Sequence, residues 1–167
     1  MLDGWLGNTG IRVTDFDRSV EFYTSLLDLV ELKRERDATA AYVLFKDRRS
    51  GQRLELNWYS EQSPFFVPFV VGEGLDHLEV RVRDVPAALE GLRAKGIVSV
   101  NRTLAANRPA VEALRGTEPD IIEELARDIW VTSAGHRITY IQDPDGNLIS
   151  LYDHPEEDFD GPIPDHY

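Results

Sequence analysis

The sequence predicts an α+β fold made of two βαβββ modules with concave sheets, because the chain contains an internal repeat that begins with a strand and a helix. Residues 13–23 match residues 82–92 at an offset of 69, with Val, Asp and Glu at identical positions. Residues 51–56 match residues 146–151 at an offset of 95. Each half therefore reads as a strand, a helix and three further strands.

The first module is assigned to residues 1–70. Asp15 or Asp17 fits the N-cap of its helix, and apolar residues follow at helical spacing. Three strand-like runs come after the helix and complete the module. They are Leu29–Arg34, Ala41–Phe45 and Arg53–Trp58.

The second module is assigned to residues 71–153. Asp84 fits the N-cap of its helix, and Pro86 fits the first helical turn, where a missing N–H costs nothing. Its strand-like runs after the helix follow the same order as in the first module. They are Val98–Asn101, Arg137–Ile141 and Leu148–Tyr152.

A helical insertion distinguishes the second module from the first. The two offsets differ by 26, which is the number of extra residues that the second module must hold. We assign them to residues 102–135, where Pro109–Leu114 and Pro119–Trp130 are predicted to be helical. Such an insertion forms a lid or an interface, or it is a plain surface excursion, and the sequence does not decide between these.

Composition excludes several classes of function. The net charge of −12 argues against a partner with a phosphate backbone, and the absence of cysteine excludes a zinc–thiolate site and a thiol nucleophile. The sequence contains no run of about 18 apolar residues and no signal-peptide pattern, so we expect a cytoplasmic protein without membrane contact. Residues 154–167 are rich in acids and contain no Lys or Arg, and we interpret them as an acidic C-terminal surface arm.

Strand alternation collects polar side chains on one face of the predicted sheets. This face is either solvated or a concave polar cleft. The offset of 69 places Asn8 on His77, and the offset of 95 places Glu55 on Ser150, so two related pairs define a four-point site. Carboxylate, imidazole and amide groups suit a divalent first-row metal. The other polar residues of this face are Arg12, Arg53, Asn57, Glu79 and Arg81.

The three arginines on this face, Arg12, Arg53 and Arg81, predict a small anionic substrate, because guanidinium groups recognise planar anions. Asn57 is the fourth residue that we assign to substrate binding. The alternative for the arginines is cross-strand ion pairing with Glu55 and Glu79.

Four segments of the sequence carry a resemblance to a known family. They are Gly10–Tyr23, Leu54–Tyr59, Leu75–Val80 and Asp143–Gly146 with the strand after it. In this order and spacing they resemble the glyoxalase I, bleomycin-resistance and extradiol-dioxygenase superfamily, also called vicinal oxygen chelate proteins. Leu54–Tyr59 is most similar to the lactoylglutathione lyase branch. The resemblance covers nearly the whole chain except the insertion and the acidic arm.

The resemblance implies a divalent metal ion (Ni, Co, Zn, Mn or Fe) held by four residues. Glu55 and His77 match the family's ligand pattern. Asn8 stands where the family usually has His or Gln, and Ser150 stands where it usually has Glu. This chain then supplies one carboxylate instead of two, so the ion is either weakly bound or absent.

Two functions follow as expectations. The first is a glyoxalase-like, metal-dependent lyase or isomerase that acts on a small vicinal-oxygen substrate, with Glu55 as the catalytic residue that exchanges a proton. The alternative is a non-catalytic small-molecule-binding protein of the bleomycin-resistance type with a degenerate metal site. Many members of the family are homodimers whose chains complete each other's clefts, so the resemblance also implies a homodimer.

Overall fold

The computed structural model of the chain describes residues 7–70, 75–106, 127–131, 135–153 and 159–161. The chain divides into two compact units: the first comprises Met1–Leu75 and Asp143–Gly146, and the second comprises Asp76–Gln142 and Asn147–Tyr167. Each unit contains one four-stranded sheet with both parallel and antiparallel pairs. The predicted α+β fold of two modules is therefore confirmed. The predicted module limits at residues 70 and 153 stay a prediction.

The first unit consists of one helix and one sheet. The sheet order is β1-β4-β3-β2, and β1 runs parallel to β4 while the other pairs are antiparallel. In β3, Ala41, Val43 and Phe45 are buried at alternate positions, as expected for a sheet with one covered face. The elements are β1 (Thr9–Arg12), α1 (Phe16–Leu26), β2 (Leu29–Arg36), β3 (Ala40–Asp47) and β4 (Arg53–Tyr59).

Helix α1 begins at Asp15, whose side chain accepts a hydrogen bond from the backbone N–H of Arg18 over 3.1 Å. Of the two predicted N-caps, Asp15 is the correct one. The helix buries Phe16, Ser19 and Tyr23 along one side, which is the spacing of a helix that packs on a sheet.

The short segment Asp143–Gly146 belongs to the first unit, where it holds α1. The hydroxyl of Tyr23 donates to Asp143 over 2.9 Å, and the backbone N–H of Thr14 donates to Asp145 over 3.1 Å. The hydroxyl of Ser19 also donates to Asp145 over 3.3 Å. Burial, together with the nearby charge of Asp143, raises the pKa of Tyr23 well above its ordinary value.

The second unit repeats this plan with an additional short helix. Its sheet order is β5-β8-β7-β6, with β5 parallel to β8. Asp84 caps α2 by accepting from the backbone N–H of Ala87 over 2.8 Å, and Pro86 lies in the first turn, as predicted. The elements are β5 (Leu78–Arg81), α2 (Val85–Arg93), α3 (Asn101–Ala106), β6 (Trp130–Val131), β7 (Arg137–Gln142) and β8 (Leu148–Asp153).

The parallel strand pairs of the two units have the same register. Thr9 pairs with Leu54 in the first unit, and Leu78 pairs with Ile149 in the second. These partners are separated by the offsets of 69 and 95 that the sequence repeat gives. The structure therefore agrees with the repeat, residue by residue, where the site was predicted.

The predicted strand Val98–Asn101 is wrong. Residues 97–100 form no regular strand, and Asn101 begins α3. The backbone N–H of Val100 donates to the carbonyl of Tyr140 over 2.8 Å, and the Asn101 amide oxygen then accepts from the Tyr140 N–H over 2.7 Å. A side-chain amide thus replaces the next rung of a ladder and ends the pairing.

The fourth strand of the second sheet is instead β6, which lies inside the predicted insertion 102–135. The insertion therefore precedes this strand and does not follow it. The predicted helix Pro119–Trp130 is wrong at its end, because Trp130 is in β6, and Pro109–Leu114 lies outside the described residues. Among the described residues, each helix is too short or too polar to cross a membrane.

A buried ion pair fastens β7 to β8 in the second unit. Arg137 contacts Asp153 over 2.5 Å and Asp84 over 2.9 Å, and Asp153 is only 2% exposed. Asp153 also accepts from the backbone N–H of Val85. The hydrogen bonds that Arg137 donates to Asp153 are the main reason that the pKa of Arg137 is raised.

Residues 159–161 are the part of the acidic arm that the structure describes. Asp160 forms a bidentate ion pair with Arg83, with two contacts of 2.7 Å, and the Phe159 ring lies 4.7 Å from the Arg83 guanidinium. Both charged side chains are 63% exposed. These three residues therefore contact the surface of the second unit, and the extent of the arm stays a prediction.

Candidate functional site

Glu55 lies on the polar face of the first sheet, in the middle of β4. It is level with Gly10 on β1 and with Leu44 on β3. The Asn57 side chain donates to Glu55 Oε1 over 3.0 Å. A Cβ at position 10 would lie 3.4 Å from the Asn57 amide nitrogen, at van der Waals contact with this pair. Glu55 is half-buried, and it makes no ion pair with any described residue.

Asn8, the other predicted ligand in the first unit, immediately precedes β1 and is exposed. Strand alternation puts it on the same face as Gly10, two positions further along β1. The amide of Asn8 therefore stands at the open end of the strand next to Glu55, and its oxygen could serve as a neutral metal ligand.

Arg12, predicted to bind substrate, has internal contacts. Its guanidinium donates to the carbonyl oxygens of Phe65 over 3.4 Å and Val67 over 3.3 Å. It also lies 4.6 Å from the centre of the Tyr59 ring and 5.6 Å from that of Phe66. Arg12 thus attaches the segment after β4 to the sheet, which the sequence alone did not indicate.

The other two predicted arginines differ from each other. Arg53 is exposed at the start of β4 and makes no hydrogen bond or ion pair within the described residues. Arg81 ends β5 and lies 5.9 Å from the Phe159 ring of the arm. The role of these arginines in binding a substrate stays a prediction.

A cavity of about 510 Å³ opens in the first unit, where β2 ends, β3 begins and β4 ends. Tyr42 and Tyr59 are its aromatic residues, and Asn57 connects it to Glu55. Sequence reasoning missed Tyr42, although the alternation of β3 puts it opposite the buried Ala41 and Val43. The remaining lining residues are Glu35, Arg36, Asp37, Ala40 and Ala41.

In the second unit, His77 immediately precedes β5. Its Nδ1 lies 2.5 Å from a carboxylate oxygen of Asp76, and its ring packs edge-on against Tyr140 with 5.7 Å between ring centres. A histidine that donates its Nδ1–H to a carboxylate presents Nε2 as its ligating nitrogen. Asp76 was not among the predicted residues, although its adjacency to His77 was visible in the sequence.

Ser150 occupies the position in the second unit that Glu55 occupies in the first. It is level with Glu79 on β5 and with Tyr140 on β7. Ser150 is only 1% exposed, and the Tyr140 ring also contacts Trp130, with 6.0 Å between ring centres. This face of the second sheet is therefore closed around its serine.

The donor groups suit a weakly held divalent ion. No group of three or more His, Cys, Asp or Glu side chains that could hold a metal occurs among residues 7–70, 75–106, 127–131, 135–153 and 159–161. The first unit offers the Glu55 carboxylate and the Asn8 amide, and the second offers the His77 imidazole and the Ser150 hydroxyl. A carboxylate and an imidazole are stronger ligands for such an ion than a hydroxyl, which is a poor ligand until it is deprotonated.

A family model provides the identification. Residues 5–151 match the model of the Glyoxalase/Bleomycin resistance protein/Dioxygenase superfamily. The chain belongs to this superfamily, as its two modules and the common register of their parallel strands also indicate.

One relative and two solved structures illustrate what this chain is similar to. A probable lactoylglutathione lyase of Vibrio parahaemolyticus is 26% identical over 158 residues, which cover 90% of this chain and 91% of the relative. Glyoxalase I of Leishmania major shares the fold with a TM-score of 0.54 and 21% identity, over 89% of this chain and 85% of that one. The fosfomycin resistance protein FosX of Listeria monocytogenes, solved with Mn(II) and sulfate, has a TM-score of 0.50 and 14% identity, over 91% and 93% of the chains.

Proposed function

We propose that this protein is a glyoxalase-like lyase or isomerase that acts on a small molecule with vicinal oxygens and uses a divalent ion held by Glu55 and His77. One observation carries the proposal: Glu55 lies on the polar face of its sheet, beside a ligand-sized cavity, with only Oε1 bonded to Asn57. The lactoylglutathione lyase named among the relatives supports the reaction class.

Each residue has a distinct task in this proposal. Glu55 removes a proton from one substrate carbon and returns it to the neighbouring carbon, and the Asn57 amide keeps the carboxylate in place for both steps. Asp76 orients His77 so that Nε2 points to the ion. The ion, when bound, supplies Lewis-acid polarisation of the substrate oxygens.

Ser150 and Asn8 set the strength of metal binding. A ligand set with one carboxylate neutralises only half the charge of a divalent ion. If the missing carboxylate is worth about 3 kcal/mol, the metal affinity is lower by roughly two orders of magnitude than in a set with two. The proposed site is then filled only when the metal is abundant.

A second function, non-catalytic binding of a small molecule, is favoured by one specific observation. Ser150 is 1% exposed and lies level with Tyr140, so the second sheet has neither a second carboxylate nor open space at that position. A protein of this kind would bind its ligand in the cavity of the first unit without moving a proton.

Restoring the family ligands tests the two functions against each other. Ser150→Glu should raise the affinity for Ni²⁺, Co²⁺ or Zn²⁺ by at least about tenfold, equivalent to 1.4 kcal/mol, as measured by calorimetry. Asn8→His with Ser150→Glu should go further and gain turnover of a hemithioacetal. The control is Glu79→Gln, because Glu79 lies level with Ser150 on β5 and is outside the proposed ligand set. Because Ser150 is buried, the thermal transition of each variant is recorded with and without metal.

Unchanged metal affinity in folded Ser150→Glu and in the double variant would contradict the proposed ligand set. Tight metal binding without turnover in the double variant, together with binding of small molecules by the wild type, would favour the non-catalytic function.

We also propose a homodimer, since the family commonly completes its clefts between chains. Light scattering should give about twice 19.0 kDa at micromolar concentration. A mass of one chain under these conditions would contradict the dimer. The ligand assignments would not be affected, since the metal titrations test them separately.

A further inference from the structure

The cavity of the first unit has an electrostatic character that differs from the anionic specificity expected from the arginines. Two of its charged lining residues are already neutralised. Glu35 contacts Lys33 over 2.8 Å, and Arg36 contacts Asp17 over 2.9 Å. Neither pair adds net charge to the cavity.

Two carboxylates and the Arg12 guanidinium, which lies over the Tyr59 ring, remain at or beside the cavity, so the acids outnumber the cation by one. Asp37 lines the cavity, Glu55 is bonded to the lining residue Asn57, and neither acid forms an ion pair with any described residue. Asp37 uses Oδ1 to accept from the backbone N–H groups of Thr39 and Ala40, over 2.6 and 2.8 Å. These hydrogen bonds lower the pKa of Asp37, so it is ionised at neutral pH.

The aromatic residues of the cavity attract cations. Lys33 Nζ lies 5.5 Å from the centre of the Tyr42 ring, and the Arg12 guanidinium lies 4.6 Å from that of Tyr59. The negative face of an aromatic ring stabilises a positive charge, and the effect grows when the charge is partly desolvated. Each of the two rings therefore already has a cationic neighbour.

We infer that this cavity binds the cationic, flat end of an amphipathic small molecule, such as an organic ammonium group attached to a ring. The tyrosines contact the flat portion, Asp37 faces the positive charge, and the Asn57 amide contacts a polar substituent. This inference rests on the proposed function, in which the polar face binds a small molecule. It adds that one end of that molecule is positively charged. Arg12, which attaches the segment after β4, is then not the group that selects the ligand.

Three probes of similar shape test the charge preference: benzyltrimethylammonium, benzyl alcohol and benzoate. Each is titrated into metal-free protein, and the amide shifts are followed by NMR. Benzyltrimethylammonium should bind at least about fivefold more tightly than benzoate, with benzyl alcohol between them, and the largest shifts should lie at Tyr42, Asn57 and Tyr59.

Asp37→Asn removes the charge and keeps an oxygen acceptor for the backbone N–H groups. It should weaken benzyltrimethylammonium binding at least about threefold and leave benzyl alcohol unchanged. Glu31→Gln is the matched control, since Glu31 is an acid of β2, the strand that precedes Asp37, but it pairs with Arg34 outside the cavity, and it should change neither. Tyr42→Leu, which leaves the Asp37 turn intact, should weaken both probes.

Benzoate binding as tight as that of the ammonium probe would overturn the inference, as would equal effects of Asp37→Asn and Glu31→Gln, or shifts that lie away from the cavity. Because these titrations contain no metal, their failure is separate from failure of the metal site. Ammonium binding without any metal affinity would support the cavity and contradict the lyase.

Discussion

The two sheets have the same strand register, but their polar faces carry different side chains at corresponding positions. In the first unit, Glu55 is level with Gly10 and Leu44, and a cavity opens nearby. In the second, Ser150 is level with Glu79 and Tyr140 and is 1% exposed. A repeated backbone therefore does not repeat the chemistry, because the neighbours on adjacent strands decide whether a position is open.

The difference has a steric basis. In the first unit, Gly10 places no side chain beside Glu55, which pairs with Asn57. In the second unit, Glu79 stands at the position of Gly10, and Tyr140, at the position of Leu44, brings a ring that packs on both His77 and Trp130. We therefore expect changes in the second unit to affect stability most, and changes on the polar face of the first unit to affect binding.

Arg137→Ala should have the largest effect on stability. It leaves the Asp153 carboxylate, 2% exposed, without its cation. Because Arg137 is 24% exposed, the cost should lie below the about 3–5 kcal/mol of a fully buried pair and above that of a surface pair. Arg36→Ala is the control in the first unit. It removes a pair with Asp17 whose side chains are 52% and 67% exposed, and it should cost less than about 1 kcal/mol in urea unfolding. Equal costs for the two variants would contradict the comparison.

Tyr23→Phe should have an intermediate effect, in the first unit. The change removes the hydrogen bond that the hydroxyl donates to the Asp143 carboxylate, and a hydrogen bond to a charged group contributes about 1.5–3 kcal/mol. The pKa of Tyr23 is raised in the folded state, so its contribution is complete below the unfolded value of about 10 and is lost as pH rises above it. Unfolding curves from pH 8 to 11 should therefore show a smaller difference between wild type and variant at the alkaline end.

Asp160→Asn should have the smallest effect. The ion pair with Arg83 is 63% exposed on both sides, and such pairs contribute about 0–1 kcal/mol. The loss should vanish in 1 M salt, and Asp165→Asn removes the same charge elsewhere in the arm as a control. A loss of several kcal/mol on Asp160→Asn would mean that the arm is an integral part of the second unit.

Much of the fold could be predicted from the sequence. The repeat offsets agree with the corresponding registers of the two parallel pairs, and Asp15 and Asp84 were among the residues that N-cap preferences predicted. The strand Val98–Asn101 could not be corrected from the sequence, because Asn101 ends the pairing through a tertiary hydrogen bond to β7. Strand propensity contains no information about such a bond.

The candidate site was predictable to a smaller extent. Alternation put Glu55 and Asn57 on one face, and the structure brings them within 3.0 Å. The contacts of Arg12 with Phe65 and Val67 could not be foreseen, since they depend on how the segment after β4 folds back. The same holds for the cavity, whose residues come from the ends of three strands and meet only in the folded sheet.

Metal content, measured after purification without chelator and equilibration with a metal salt, tests the central claim most directly. Elemental analysis of wild type, Glu55→Gln and His77→Ala, each equilibrated with the same concentration of Mn²⁺, Ni²⁺ or Zn²⁺, should find metal in the wild type and a loss of at least about tenfold in each variant, while Glu31→Gln retains it. Equal metal content in all four proteins, or none in any of them, would contradict the assignment of Glu55 and His77 as the ligands.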